Sequence, residues 1–259
     1  MNVVNCASQF RWTSSARTDA GRVREINEDA CLDQSGLGRW AVADGMGGHA
    51  VGDLASRLVI EELGRLAPPA SMKAFIADAH ARLQSANRQL RNEAARRQVQ
   101  RIGSTVVVLL ACDRFCGYVW AGDSRLYLLR EGRLRQLTRD HSQVEALKSL
   151  GVLTEEEARH HPAQHMITRA VGATDVLELD DDAIEVADGD IFLLCSDGLS
   201  NEVSEAEMLT VLTQAARENA SEELVDLALT HGGRDNITAV VVSAEDPYAS
   251  DKTLLNPAP

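Results

Sequence analysis

The segment TVVVLLACDRFCGYVWAGDSRLYLLREGRLRQLT, residues 105–138, decides the fold class. Residues 105–111 and 115–121 are apolar runs of strand length, and residues 126–130 turn at Glu131-Gly132 into residues 134–138. Short runs rich in β-branched and aromatic residues, punctuated by turn residues, read as an antiparallel meander. On the N-terminal side, Ile76, Leu83 and Leu90, with Ala79 and Ala86 between them, trace one face of a helix that starts near Ser71. Leu58, Val59, Leu63 and Leu66 mark a shorter helix before it, and Pro68-Pro69 separates the two. On the C-terminal side come strands at 183–186 and 191–195, a helix capped by Ser204 with Glu207 in the capping-box position, a helix opened by Ser221, and a last strand at 237–242. Strands and helices in blocks, without strict alternation, predict an α+β fold of antiparallel sheets with helices on their outer faces.

Composition narrows the function classes. The chain has 259 residues, 44% of them hydrophobic, and a net charge of −13. Such a chain is long enough for a sizeable core, and one domain over residues 1–245 is expected, followed by a polar, flexible tail over 246–259. The acidic balance argues against nucleic acid as a partner, because a phosphate-backbone binder needs a basic face. The arginine-rich stretch 88–101 continues the exposed side of the long helix and reads as a solvated face. No apolar run approaches the ~20 residues that span a bilayer. The N-terminus has no basic leader followed by an apolar stretch, so a cytoplasmic location is expected. Cys6, Cys31, Cys112, Cys116 and Cys195 contain no CxxC pair and read as buried thiols, not as a zinc site.

Aspartate recurs beside glycine at the ends of the strand-like runs. Asp44 follows an apolar run and precedes Gly45; Asp123 follows Gly122; Asp197 precedes Gly198; Asp235 follows Gly232-Gly233-Arg234 and precedes the last strand. One Asp-Gly is a turn. If the strands share one end of a sandwich, several carboxylates converge there, and like charges at such distances need a cation. All-oxygen ligands suit Mg²⁺ and Mn²⁺, with the Gly45 carbonyl available beside the acids. Two such ions ~4 Å apart activate a water and clamp the oxygens of an in-line displacement at phosphorus. A guanidinium to hold the peripheral phosphate oxygens completes the set, and Arg24 is the candidate.

Eight motifs in order then resemble the PP2C-type metal-dependent protein phosphatases in their compact bacterial form. They are Arg24-Glu25-Ile26-Asn27-Glu28-Asp29, Asp44-Gly45-Met46-Gly47-Gly48-His49, Gly103-Ser104-Thr105, Ala121-Gly122-Asp123-Ser124-Arg125, Leu137-Thr138-Arg139-Asp140-His141-Ser142, Ile167-Thr168-Arg169-Ala170-Val171-Gly172, Ser196-Asp197-Gly198-Leu199 and Gly233-Arg234-Asp235-Asn236-Ile237-Thr238. The resemblance implies a β-sandwich of two antiparallel sheets flanked by helices, and hydrolysis of phosphoserine and phosphothreonine at a binuclear Mn²⁺/Mg²⁺ centre. Asp44 would bridge both ions, Gly45 would complete the first through its carbonyl, and Asp197 and Asp235 would hold the second. Asp123 with Asp197 matches a third metal site. Glu28 and Asp29 would orient waters on the ions, and Arg24 would grip the substrate phosphate. Phosphorylated proteins and a cognate Ser/Thr kinase are the implied partners.

Where the animal branch of the family has a histidine proposed as general acid, this chain has Met46, and a thioether donates no proton. His49 is the candidate acid in its place, with His141 and water on a metal as the alternatives. Residues 143–164 match the family's flap: Val144, Leu147, Leu150 and Val152 suggest a helical hairpin, with Thr154 and Glu157 forming a second capping box. A catalytically silent binding module would have lost one of the aspartates, and a small-phosphate esterase would need aromatic or basic groups around a closed pocket.

Overall fold

The computed structural model describes residues 9–47, 51–159, 161–163 and 166–249. Eleven strands form two sheets. The first sheet has the order β1 (Arg11–Asp19), β11 (Ile237–Glu245), β10 (Ile191–Cys195), β7 (Arg125–Arg130), β8 (Arg133–Gln136). The second runs β2 (Asp29–Gln34), β3 (Arg39–Met46), β5 (Val106–Cys112), β6 (Phe115–Ala121), β9 (Asp180–Glu185), with the short β4 (Gly103–Ser104) paired to the end of β3. Every pairing is antiparallel.

The period-2 alternation of strand side chains explains why the central strands are apolar throughout. Trp40 and Val42 of β3, Val107 and Leu109 of β5, and Phe192, Leu194, Val240 and Val242 of β10 and β11 fill the space between the sheets. Their neighbours Ala41, Ala43, Val106, Val108 and Leu110 face the other way, against α1 (Gly52–Leu63) and α2 (Met72–Arg97). Leu193, Cys195, Ala239 and Val241 pack against α6 (Glu205–Gln214) and α7 (Ala220–Thr230). The result is four layers, helices–sheet–sheet–helices, as the sequence predicts. Each fully buried large aliphatic or aromatic side chain contributes about 2 kcal/mol, so three such clusters give a rigid platform for the loops at the rim.

The long helix begins where expected, with the Ser71 hydroxyl accepting from the Ala74 N–H. Phe75, Ala79, Leu83, Ala86 and Leu90 form its buried stripe, and Ile76 sits at the margin. The Ser204–Glu207 capping box at α6 is present, whereas α7 starts at Ala220 behind Asn219, ahead of the expected Ser221. Cys116 and Cys195 are buried free thiols and Cys31 a half-buried one, but Cys112, expected as a thiol, is disulfide-bonded; Cys6 lies outside the described residues. Residues 246–249, expected to fray, form a turn in which the Asp246 N–H donates to Asp188 Oδ1 at 2.8 Å. Among the described residues no helix is long and apolar enough to cross a membrane.

The segment 143–164 leaves the first sheet after β8 and carries α3 (Gln143–Ser149) and α4 (Glu155–Arg159). Thr154 and Glu157 close the predicted capping box, each side chain reaching the other's backbone N–H. The expected helical hairpin is present, but the apolar residues that suggested it are not its interior: α3 buries none of its residues, Leu150 and Val152 are exposed, and Ala158 and Ala163 are buried instead. At its root Ser142 bridges Ile167.

Candidate metal centre

Asp44 lies inside β3, not beyond its end as the sequence suggests, because Gly45 and Met46 prolong the strand by pairing with Ser104 and Gly103. Its register partner on β2 is Asp29. Directly opposed residues on neighbouring strands share a face, and like charges there are destabilising. Asp123 follows β6, Asp197 opens the short α5 (Asp197–Ser200) after β10, and Asp235 precedes β11.

Hydrogen bonds stitch these four segments together. The Asp29 Oδ2 accepts from Ser196 Oγ and Thr238 Oγ1, both at 2.7 Å, which joins β2 to the neighbours of Asp197 and Asp235. Thr105 binds the Asp44 backbone on both sides, its N–H donating to the Asp44 carbonyl and its Oγ1 accepting from the Asp44 N–H. That Oγ1 also lies 2.6 Å from Ser124 Oγ, beside Asp123. Gly198 backs onto Asn236 so closely that a Cβ would fall 1.9 Å from its carbonyl oxygen, so the loops of Asp197 and Asp235 meet only with glycine there.

The carboxylates feel one another strongly. Asp44 is pushed well above the ordinary carboxylate range by burial and then by the charges of Asp29, Asp197, Asp123 and Asp235. Burial raises Asp29 to about 7, with Asp197 and Asp235 adding to the shift, and Asp123 reaches about 7 through burial and the charge of Asp197. The Oδ1 of Asp29 is buried without a hydrogen-bond partner. Among the described residues no three of His, Cys, Asp or Glu close into a compact metal-holding cage. The arrangement is an open, acid-rich rim, and it fits hard ions that keep several waters and take only one or two carboxylates each. The donor set is oxygen throughout, as Mg²⁺ and Mn²⁺ require and zinc does not.

Arg24 reaches the rim: its Nη2 lies 2.8 Å from Asp235 Oδ2, and its pKa is raised by that hydrogen bond first and by the charges of Asp235, Glu28 and Asp44 as well. Glu28 has one oxygen, Oε1, accepting from the Gly52 N–H at the start of α1, and its carbonyl accepts from the Gly45 N–H. It therefore fastens α1 and Gly45 to the rim. His49 lies outside the described residues. His141 is 8% exposed and buried among hydrogen bonds, with its Nδ1 accepting from the Gly122 N–H at 3.2 Å.

Sequence reasoning assigned no role to Asn236, Ser196, Thr238 or Thr105. Asn236 holds the Arg24 loop through three bonds, accepting from the Glu28 N–H and donating to the carbonyls of Ala20 and Ile26. The signal available was adjacency, since each of these residues sits beside or within a motif that carries an aspartate.

A cleft of about 1020 Å³ opens from Asp123, Asp197 and Asp235 between the flap, through Val144, Glu145 and Lys148, and the start of α6 at Glu205. The one aromatic side chain on its lining is Tyr127, whose hydroxyl accepts from Arg125 Nη1.

A double sandwich with an open carboxylate rim and an arginine at its edge is the equipment of a metal-dependent phosphoester hydrolase. The family model described as Protein phosphatase 2C matches residues 19–230, and the chain belongs to that family. It is 38% identical over 233 residues to the serine/threonine protein phosphatase PstP of Mycobacterium tuberculosis, a match covering 90% of this chain and 45% of PstP, so the chain spans about half the length of that relative. It is 33% identical over 245 residues to the protein phosphatase PhpP of Streptococcus pneumoniae, covering 91% of this chain and 98% of PhpP. Among solved structures it is similar to PppA of Pseudomonas aeruginosa, described as a key regulatory component of T6SS, with TM-score 0.84 and 43% identity over 90% of this chain and 97% of that one. The catalytic domain of PstP in complex with two manganese ions superposes with TM-score 0.83 at 36% identity, covering 92% of this chain and all of that one.

Proposed function

We propose that this chain is a protein serine/threonine phosphatase that hydrolyses phosphoserine and phosphothreonine at a binuclear Mn²⁺ or Mg²⁺ centre. The observation that carries the reading is the convergence of Asp29, Asp44, Asp123, Asp197 and Asp235 at one rim, where burial and the charges of the other four raise the pKa of Asp44, with Arg24 ion-paired to Asp235 beside them. In this reading Asp44 and the Gly45 carbonyl would hold the first ion, Asp44, Asp197 and Asp235 would hold the second, and Asp123 with Asp197 would hold a third. When bound, the ions supply Lewis acidity and a water of lowered pKa.

The chain's own residues do the rest. Arg24 exchanges its contact with Asp235 for the peripheral oxygens of the incoming phosphate, which its planar fork fits. Asp29, fixed by Ser196 and Thr238, keeps its second oxygen aimed into the rim to orient water. Glu28 keeps the Gly45 carbonyl in place. His141 offers no proton toward a leaving group, because Nδ1 accepts from Gly122 and the Nε2 proton faces Asp180 Oδ2 at 3.1 Å. The open cleft, without an aromatic box, favours a phosphorylated protein segment over a nucleotide. Opposition to a Ser/Thr kinase, action in the cytoplasm and a single domain over residues 1–245 belong to the same proposal.

The test is one assay. The purified protein with Mn²⁺ should release phosphate from a phosphothreonine peptide, far more slowly from a phosphotyrosine peptide, and not at all in EDTA. Turnover that survives EDTA, or no turnover of the phosphothreonine peptide with Mn²⁺, contradicts the reading.

A further inference from the structure

The flap leaves the body at Asp140-His141-Ser142 and returns at Ile167-Thr168-Arg169, and His141 touches more of its surroundings than the sequence suggests. Its backbone N–H donates to the Gly122 carbonyl at 2.8 Å while its Nδ1 accepts from the Gly122 N–H at 3.2 Å, so one residue takes both backbone groups of Gly122. Its carbonyl accepts from the Thr168 N–H at 2.7 Å, on the returning root. Because Nδ1 is an acceptor, the ring proton sits on Nε2 and faces Asp180 Oδ2 on β9; Asp180 Oδ1 in turn accepts from Arg169 Nη1 at 2.7 Å. The ring stacks on Trp120 with centroids 5.9 Å apart and planes 11° from parallel, and Trp120 Nε1 donates to the Arg139 carbonyl.

Gly122 has little freedom on its other side. Its φ is +109°, and a Cβ there would fall 2.7 Å from the side chain of Thr105, the residue that also binds the Asp44 backbone. The turn that presents Asp123 is therefore gripped between Thr105 and His141, and only the His141 side is shared with the flap.

We infer that His141 is a positioning residue for the Asp123 carboxylate, a clamp that ties the Gly122-Asp123 turn to both roots of the flap. It sets how tightly Asp123 binds a divalent ion, and flap displacement reaches that ion through this residue. Groups that orient a metal ligand from behind change affinity by about 10–100-fold when removed. The inference rests on the proposed reading of Asp123 as an ion ligand.

The experiment follows the Mn²⁺ concentration that gives half-maximal turnover of a phosphothreonine peptide and of p-nitrophenyl phosphate, in the full chain, beside a thermal melt of each variant. His141→Ala should raise that concentration about 10-fold. His141→Asn, whose amide oxygen can accept from Gly122 where Nδ1 did, should restore most of the loss. Asp180→Ala, a change at a half-exposed strand residue, should give a smaller shift in the same direction, and it carries the test if His141→Ala fails to fold. In an Asp123→Asn background, His141→Ala should add nothing further. Wild-type Mn²⁺ dependence in folded His141→Ala and in Asp180→Ala overturns the inference. So do effects of His141→Ala and Asp123→Asn that multiply, or a loss confined to the peptide at unchanged Mn²⁺ dependence, which would mark an acid. Wild-type Mn²⁺ dependence in Asp123→Asn itself overturns the ion reading of Asp123, a separate outcome from the others.

Discussion

Two groups of acids on the same scaffold are treated in opposite ways, one by pairing with arginine and the other by crowding. In one, every buried acid has its cation: Asp140 takes a bidentate contact from Arg125 and a bond from Gln136, and Asp190, 1% exposed, takes both Nε and Nη2 of Arg130. In the other, burial and then the charges of Asp29, Asp197, Asp123 and Asp235 raise Asp44, burial and the charge of Asp197 raise Asp29 and Asp123, and Arg24 bonds Asp235. On the proposed reading, a fold that pairs Asp140 and Asp190 with arginines and crowds these five together holds the five for a divalent cation. Pairing then marks acids that build the scaffold, and crowding those that take ions.

The strongest way to break that contrast is to remove one acid from each group. Asp197→Asn and Asp235→Asn should each lower kcat on a phosphothreonine peptide about 1000-fold, ~4 kcal/mol of barrier, with the melting temperature in EDTA unchanged or higher. Asp140→Ala should do the reverse, destabilising by about 2 kcal/mol because it strands the half-buried Arg125, and costing far less turnover per folded molecule. If Asp140→Ala abolishes turnover in the folded protein while Asp197→Asn spares it, the two groups have been assigned the wrong way round.

Metal removal should come next in size. Mn²⁺ at about 100 times its Kd stabilises by about 2.7 kcal/mol, roughly 5–10 °C for a chain of this length. The pH dependence has a definite sign. Asp29 and Asp123 titrate near 7 in the folded protein and near 3.8 when unfolded, so between those values the folded state binds more protons. Metal-free stability is therefore greatest at low pH and falls as pH rises from about 4 to about 7. Melts in EDTA at pH 5 and pH 8 should show the lower value at pH 8, and Mn²⁺ should close the gap; a metal-free protein equally stable at both would remove the repulsion from the account.

Arg24→Ala sharpens the comparison at its margin, since Arg24 is a cation that the chain itself brings to the crowded acids. It should raise KM for a phosphopeptide about 10-fold with a smaller change in kcat, because it holds phosphate oxygens in the ground state as well as later. An unchanged KM removes it from substrate binding. The smallest effect belongs to the flap: Thr154→Ala deletes the α4 capping box, worth about 1 kcal/mol locally, and should leave the global melt in place while altering the peptide KM. A cooperative loss of global stability would mean the flap is part of the body.

The contrast between the two groups also explains how far the sequence could be read. The central strands β5, β6, β10 and β11 were legible because both of their faces are largely buried and most of their residues are apolar. The edge strands were not: β1 (Arg11–Asp19) and the start of β9 (Asp180–Glu185) expose alternate side chains, and their backbones alone show that they are strands. The four aspartates near glycine were legible from those glycines. The long-range partners were invisible beforehand, since Arg130 and Asp190 stand 60 residues apart and Asp29 and Thr238 209 apart, and hydrogen bonding at that range leaves no local pattern. His141 shows the same limit, for the sequence placed it among possible acids and its bonds to Gly122, Thr168 and Asp180 place it among the fasteners.

The most direct measurement is the number of Mn²⁺ ions bound per chain, by calorimetric titration of the wild-type protein, Asp44→Asn and Asp140→Asn. The account predicts at least two ions on the wild type, loss of tight binding in Asp44→Asn, where the shared ligand is gone, and wild-type stoichiometry in Asp140→Asn. A wild-type protein that binds no Mn²⁺, or an Asp44→Asn variant that binds it as the wild type does, would contradict the claim that the crowded acids of the rim are there to hold metal.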